Sequence, residues 1–214
     1  MPDPHRVAGE LSEILRGKRY NALLLSAGKT AKQFADEAAA ALVRTNAFVD
    51  PVTVEELNGP VELYRAYDGI SRATALTLGS FWCDRALVQS MWSATSRLNA
   101  VARPQAFFDF FRSAMFVHPQ WNLMTDIACL RPPAGNTLPV FKGQGNWRAL
   151  RASSRPSISS QGEVIDQLGW MPIPGPHQYM VPGCKGASGF VVWAFNDMWV
   201  SKVPRQASAW PLRS

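Results

Sequence analysis

The sequence predicts an α+β fold, in which helices come first and a mostly antiparallel or mixed sheet follows. Apolar residues recur at helical spacing early in the chain, whereas the second half carries short apolar runs bounded by proline and glycine. The 214 residues are 47% hydrophobic and 18% charged, which is typical of a globular protein with one well-formed core. No apolar run approaches the roughly 20 residues of a membrane span, so we expect no membrane partner.

The predicted elements divide the chain into an N-terminal helical region, residues 1–58, and a main domain, residues 59–214. The first region should hold two helices, over 6–15 and 28–44, and then a connector over 46–59 that contains Pro51. In the main domain we predict two helices, over 84–98 and 104–116. We predict strands over 61–67, 121–130, 137–141, 178–181 and 190–200. Asp84 is a candidate helix N-cap, and residues 79–82 are expected to end a loop.

The charge balance, a formal net charge of +6, favours contact with an anionic molecule. The basic residues are scattered, and no run of them is long enough for a nucleic-acid-binding arm. Nucleic acid is therefore an unlikely partner, and a nucleic-acid-binding protein is kept only as a third class of function. A steep loss of binding with added salt would identify that class.

Cysteine and histidine usage argues against metal and disulfide chemistry. The odd number of cysteines and the absence of a CxxC pair exclude a cysteine-rich zinc site and disfavour a disulfide framework, as expected for a reducing compartment. The histidines show no metal-ligand spacing, so no metal is expected. These residues are Cys83, Cys129, Cys184, His5, His118 and His177.

One motif resembles a phosphate-binding loop but lacks an essential residue. The run from Leu23 to Thr30, LLLSAGKT, ends in GKT before a predicted helix. A P-loop requires a glycine five positions before the second glycine, because that residue lets the backbone amides turn around the phosphate. That position is Leu23, so the sequence argues against a nucleoside triphosphatase.

Arg65 is the most informative residue of the chain, because it interrupts an alternating apolar strand pattern. An arginine is costly to bury, and it usually has an anionic partner nearby. Phe81 and Trp82 follow in the next predicted loop and suggest a flat ligand. Together these residues indicate a planar, phosphate-bearing ligand such as a dinucleotide.

Five segments occur in an order that resembles the ADP-ribosyltransferase superfamily, especially its toxin-type domains and the NAD glycohydrolases that share the fold. They are LYRAYDG, LGSFW, PQWN, PPAGNT and PGPHQYMVP, and the resemblance covers residues 60–200. It implies a split, mostly antiparallel sheet beside the N-terminal helices. It also implies that NAD is the substrate.

The resemblance assigns roles to individual residues. Arg65 stands where the family's first-strand arginine binds the NAD diphosphate or ribose, and Phe81 or Trp82 would pack on the nicotinamide. Two alignments compete for the residue that holds the ribose. One places Glu163 of Gln161-Gly162-Glu163 on the family's Gln-x-Glu motif, and the other places Gln178 on a GxxQY motif. We favour Gln178 slightly, because its segment should form a strand after a glycine turn.

The function implied by the resemblance is cleavage of the nicotinamide–ribose bond of NAD. The acceptor would be a protein side chain or water. A toxin-type domain would act in the cytosol of a target cell, with a target protein and an immunity protein as further partners. The N-terminus lacks a Sec signal's apolar segment, although another delivery route would leave no such mark. The alternative is a catalytically degenerate binding module that engages a partner protein or a nucleotide.

Overall fold

The computed structural model describes residues 2–67, 81–115, 124–146, 176–183, 199–203 and 210–211. The helices within these ranges are α1 (Pro4–Leu15), a 3-10 turn (Lys18–Tyr20), α2 (Asn21–Ala27), α3 (Ala31–Thr45), α4 (Arg85–Ala94) and α5 (Ala102–Ala114). The strands are β1 (Phe48–Asn58), β2 (Leu63–Tyr67), β3 (Phe81–Asp84), β4 (Asp126–Leu130), β5 (Thr137–Gly145), β6 (His177–Met180) and β7 (Val200–Val203). The predicted α+β class is confirmed.

The described strands form one seven-stranded sheet in the order β1-β5-β6-β3-β2-β4-β7. Each neighbouring pair in this order is antiparallel. Strand β2, which contains Arg65, therefore has a neighbour on both sides. The predicted antiparallel character of the sheet is thus present throughout its described part.

The predicted helices are confirmed, with small changes at their ends that local chemistry explains. Helix α1 begins after Asp3, whose side chain accepts a hydrogen bond from the backbone of His5. Helix α3 starts three residues later than predicted, because Thr30 and Gln33 form a capping box there. Gly28, at φ 62°, ends the short helix α2, which the sequence analysis did not predict.

The connector predicted over residues 46–59 is wrong, because most of it is the 11-residue strand β1. This strand pairs with β5 at one edge of the sheet and has a register irregularity between Val49 and Thr53. Pro51 lies within the irregularity, and an edge strand tolerates proline where a central strand does not. The predicted boundary at residue 58 stays a prediction, although β1 belongs to the same sheet as later strands.

Two further strand predictions need correction. Phe81 and Trp82 do not end a loop but begin strand β3, which pairs with both β2 and β6; the rest of the predicted loop lies outside the described residues. Strand β5 continues four residues past the predicted end at Phe141. The predicted strands over 61–67, 121–130 and 178–181 correspond to β2, β4 and β6. Most of the strand predicted over 190–200, and the loop over 152–160, lie outside the described residues.

Two apolar clusters form the core. The first joins α1 and α3 to β1 and β5 and extends to β2, β3, β4 and β6, with Phe141, Tyr67, Trp82 and Tyr179 among its buried members. The second joins α4 and α5 to the β2–β3–β4 part of the sheet and is rich in aromatic rings around Phe107. The ring of Phe81 packs against both clusters and so lies between them.

A charged network joins the start of β2 to α4. The side chain of Glu62 is 12% exposed and accepts hydrogen bonds from the Tyr64 hydroxyl at 2.8 Å and from Arg85 at 2.7 Å. Arg131 lies 3.8 Å from the same carboxylate. Burial by itself raises the pKa of Glu62, but these hydrogen bonds and positive charges outweigh burial, so the pKa lies below its ordinary value of 4.5.

We expect Glu62 to make the fold sensitive to acid. A carboxyl whose pKa is lowered by folding stabilises the protein above its unfolded pKa, and that stabilisation is lost as the pH falls through the folded pKa. Its size should be about 1 kcal/mol, because the arginine partners are partly exposed. Urea unfolding between pH 7 and pH 3 should therefore show a shallower pH dependence for Glu62→Gln than for the wild type. Glu13→Gln, at an exposed position on α1, should retain the wild-type pH dependence.

Candidate functional site

Arg65 lies in the middle of β2, and its side chain is partly buried on one face of the sheet. Alternation along β2 places Tyr64 and Ala66 in the aromatic cluster with α4 and α5. Arg65 therefore projects from the opposite face, on which Leu63 and Tyr67 also lie. Its Nη1 atom donates a hydrogen bond of 2.7 Å to the backbone carbonyl of Phe81, which orients the guanidinium.

Strand register aligns cationic and aromatic side chains with Arg65 across this face. Tyr64 of β2 pairs with Cys83 of the antiparallel strand β3. Arg65, which follows Tyr64, therefore lies opposite Trp82, which precedes Cys83. Pairing between the other strands extends the alignment in both directions. We call this set the Arg65 row: Lys142, Tyr179, Trp82, Arg65, Ala128 and Lys202.

Two buried hydrogen-bond donors lie on the same face. The Tyr67 hydroxyl and the Trp82 Nε1 are both buried, and neither has a hydrogen-bond partner within the part of the chain that the structure describes. Tyr67 is 2% exposed and Trp82 is 1% exposed. Buried polar atoms are rarely left unpaired in native proteins, so each of these two donors requires an acceptor from outside the described residues, either elsewhere in the chain or in a ligand.

The aromatic hydroxyls on this face are held in their neutral form. Desolvation by burial raises the pKa of Tyr67 to about 12, and the negative charge of Asp126 contributes further. Desolvation also raises the pKa of Tyr179 to about 12, with smaller contributions from the charges of Asp84 and Glu55 and a hydrogen bond with Asp84. Both phenols therefore stay protonated at neutral pH and can donate hydrogen bonds.

The two aromatic candidates for nicotinamide packing project in opposite directions. Trp82 lies on the face of Arg65. The ring of Phe81 contacts Phe48 edge to face, with 5.8 Å between the ring centroids, on the side where α1 and α3 pack. Phe81 reaches the site only through its backbone carbonyl. Whether either ring frames nicotinamide stays a prediction, and of the two only Trp82 lies on the face of Arg65.

Gln178 does not lie on the face of Arg65. It precedes Tyr179 on β6, so alternation directs it to the helix side of the sheet. There it is 3% exposed, and its Nε2 atom donates a hydrogen bond of 3.2 Å to the carbonyl of Ala114 near the end of α5. The structure thus does not bring Gln178 and Arg65 together. Glu163, the competing candidate, lies outside the described residues.

The GKT segment forms an ordinary helix start. Thr30 and Gln33 satisfy each other's backbone amides, and Lys29 forms an ion pair with Glu37. A groove of about 580 Å³ lies beside this helix start and includes Gly28 and Leu25. Because the capping box already occupies two of the amides that would bind a phosphate, this groove lacks the chemistry of a nucleotide loop.

Within the described ranges, no three histidine, cysteine, aspartate or glutamate side chains are grouped as a metal ion would require. No helix there combines the length and apolar character needed to cross a bilayer. The side chains of Cys83 and Cys129 are buried in the aromatic cluster. Burial raises the pKa of the Cys83 thiol well above its usual value, so it is not an activated nucleophile.

Comparison with protein-family models, curated proteins and solved structures gave no match for this chain. The site is therefore described by its own geometry alone.

The sequence analysis missed four polar residues of this face. Tyr67 could have been found, because it lies two positions after Arg65 on the same predicted strand and so projects to the same side. Lys142, Tyr179 and Lys202 lie on distant strands. Their alignment with Arg65 depends on strand order and register, for which the sequence carries no local signal.

Proposed function

We propose that this chain binds NAD on the face that carries Arg65 and cleaves the bond between nicotinamide and ribose. We also propose that its antiparallel sheet is of the ADP-ribosyltransferase type. The observation that supports this most is the position of Arg65. A partly buried guanidinium, oriented by the Phe81 carbonyl, lies in an interior strand beside the buried donors Tyr67 and Trp82.

The chemistry of the donors on this face matches a dinucleotide. Arginine can donate two hydrogen bonds from its planar fork to a single phosphate. The hydroxyl of Tyr67 and the indole nitrogen of Trp82 supply further donors, and Lys202 supplies positive charge, whereas Lys142 forms an ion pair with Glu55 at 3.0 Å. Arg65, Tyr67, Trp82 and Lys202 together suit a ligand that is rich in acceptors and anionic, as a diphosphate is. The net charge of +6 supports the same class of ligand.

The proposed reaction breaks the bond between ribose C1′ and the nicotinamide nitrogen. The electron pair of that bond stays with nicotinamide and neutralises the positive charge of its ring. C1′ then carries oxocarbenium-like charge, which a carboxylate stabilises better than a neutral amide does. A water oxygen or a nucleophilic atom of a protein acceptor bonds to C1′ and gives up its proton. We propose Glu163 for the carboxylate, because Gln178 is neutral and contacts Ala114 on the other face.

A binding module is the second candidate, and the location of Gln178 favours it. One of the two residues expected to hold the ribose is committed to a backbone carbonyl of α5. A protein that keeps the Arg65 face but lacks a suitable carboxylate would bind NAD, or a partner that carries phosphate, without turnover. NAD binding without nicotinamide release would identify this class.

Nicotinamide release from NAD, followed by chromatography, tests the proposal. We expect the wild type to release nicotinamide and Glu163→Ala to lose at least 100-fold in rate while still binding NAD, because transition-state charge is no longer stabilised. Gln178→Ala should lose about 1 to 3 kcal/mol of stability, since a buried hydrogen bond disappears, but should keep most of its rate per folded molecule.

Glu10→Ala, on the exposed side of α1, is the matched control and should behave like the wild type. Loss of release in Gln178→Ala, with Glu163→Ala unaffected, would reverse the assignment of the two residues. A folded wild type that neither binds nor cleaves NAD would contradict the proposal as a whole.

A further inference from the structure

The hydroxyl of Tyr67 lacks a hydrogen-bond partner among the described residues, although the side chain is only 2% exposed. Buried tyrosine hydroxyls usually find a partner, because desolvation without a hydrogen bond is costly. Tyr67 ends strand β2 and lies two residues after Arg65, on the same face. An acceptor supplied by a ligand would satisfy it.

Lys202 on β7 lies beside the Tyr67 ring, with its Nζ 5.8 Å from the ring centroid. Lys202 is exposed and pairs across the sheet with Ala128, which in turn pairs with Arg65. Arg65 and Lys202 are therefore two strand spacings apart, about 10 Å between their backbones. Ala128 lies between them and is 1% exposed. The two long side chains together can span the distance between the two backbones.

The other charged group beside Tyr67 is Asp126, its cross-strand neighbour on β4. The hydroxyl of Thr125 donates a hydrogen bond of 2.7 Å to this carboxylate. The phenol stays protonated at neutral pH, since its pKa is about 12, and so acts as a donor towards an anionic oxygen.

We propose that the Tyr67 hydroxyl and the Lys202 ammonium bind a phosphate oxygen of a nucleoside diphosphate, beside the phosphate that Arg65 binds. This inference rests on the proposed function, which supplies the class of ligand. It adds Tyr67 and Lys202 to Arg65 as side chains that recognise the diphosphate. It does not depend on catalysis, because phosphate binding precedes any bond cleavage.

The test measures ADP affinity by titration calorimetry and thermal stability in parallel. Tyr67→Phe removes only the hydroxyl, so it should weaken ADP binding about tenfold, the loss of one good hydrogen bond. It should leave the melting temperature of the free protein unchanged or higher, because no described hydrogen bond is broken. Lys202→Ala should also weaken ADP binding about tenfold, and more at low salt than at high salt.

Tyr64→Phe is the mirror-image control on the same strand. Its hydroxyl donates a hydrogen bond to Glu62 on the other face, so this variant should lower the melting temperature and leave ADP affinity unchanged. Lys32→Ala, on the exposed surface of α3, should change neither property.

Unchanged ADP affinity in both Tyr67→Phe and Lys202→Ala would overturn this inference, even if the wild type cleaves NAD. A wild type that fails to bind ADP would also overturn it, and so would a clear fall in the melting temperature of Tyr67→Phe. Weaker ADP binding in both variants would support it, even if no nicotinamide is ever released. The inference and the proposed reaction can therefore fail separately.

Discussion

Arg65→Ala should lower kcat/KM for nicotinamide release at least 100-fold. The loss of two charge-assisted hydrogen bonds to the diphosphate costs about 3 kcal/mol, and each 1.4 kcal/mol corresponds to a factor of ten. The wild-type and variant rates should be compared per folded molecule, because the variant also loses the hydrogen bond to the Phe81 carbonyl. Circular dichroism and a urea midpoint establish the folded fraction.

Arg65→Lys separates charge from geometry. Lysine keeps the positive charge but cannot form the planar two-bond contact with a phosphate, so this variant should recover only part of the lost activity. Arg16→Ala, whose side chain is exposed and pairs with Glu13 on α1, should keep the wild-type rate. Full activity in a folded Arg65→Ala protein would remove Arg65 from the site and leave the nucleotide proposal without its main support.

Phe107→Ala should destabilise the fold by about 3 to 5 kcal/mol, the usual cost of removing a buried phenylalanine ring. Phe107 is fully buried and lies at the centre of the aromatic cluster. Its ring contacts Trp92, Phe108, Phe111 and Trp210, with centroid distances of 5.5 to 6.0 Å. Truncation removes all of these edge contacts and leaves a cavity. Guanidinium chloride unfolding at equilibrium measures the loss.

Phe110→Ala is the matched control on the same helix. Its side chain is 39% exposed, so its truncation should cost less than about 1 kcal/mol. If Phe107→Ala and Phe110→Ala lost equal amounts of stability, α5 would not pack against the sheet through the face that carries Phe107.

The elements with strong local signals were predictable from sequence. Helix α4 has an N-cap in Asp84, whose carboxylate accepts a hydrogen bond of 2.8 Å from the Leu87 amide, as its position predicted. Strand β2 forms where it was predicted, and all of its residues except Arg65 are buried, on both faces of the sheet. Strand β1 was missed because Pro51 and two adjacent glutamates are typical of a loop. Only its place at the edge of the sheet makes that composition acceptable for a strand.

The candidate site was predictable only in part. The sequence singled out Arg65 because a lone arginine in an apolar strand has an energetic cost that requires explanation. It also selected Gln178, since that residue lies in a predicted strand and matches a familiar motif. The structure places Gln178 on the opposite face from Arg65. On β6, Tyr179 pairs with Trp82 of the intervening strand β3 and shares the Arg65 face, so the adjacent residue Gln178 projects to the other side. A change of one residue in register would reverse that direction.

The amino-acid sequence by itself determined the α+β class, the positions of the main helices and the presence of a guanidinium in a central strand. Those properties arise from interactions between residues close together in the chain, such as caps, periodicity and the cost of burying charge. Tertiary structure alone decided that Trp82 and Lys202 share a face with Arg65 and that Gln178 does not. These relations depend on strand order and register, which follow from packing of the whole sheet against its helices.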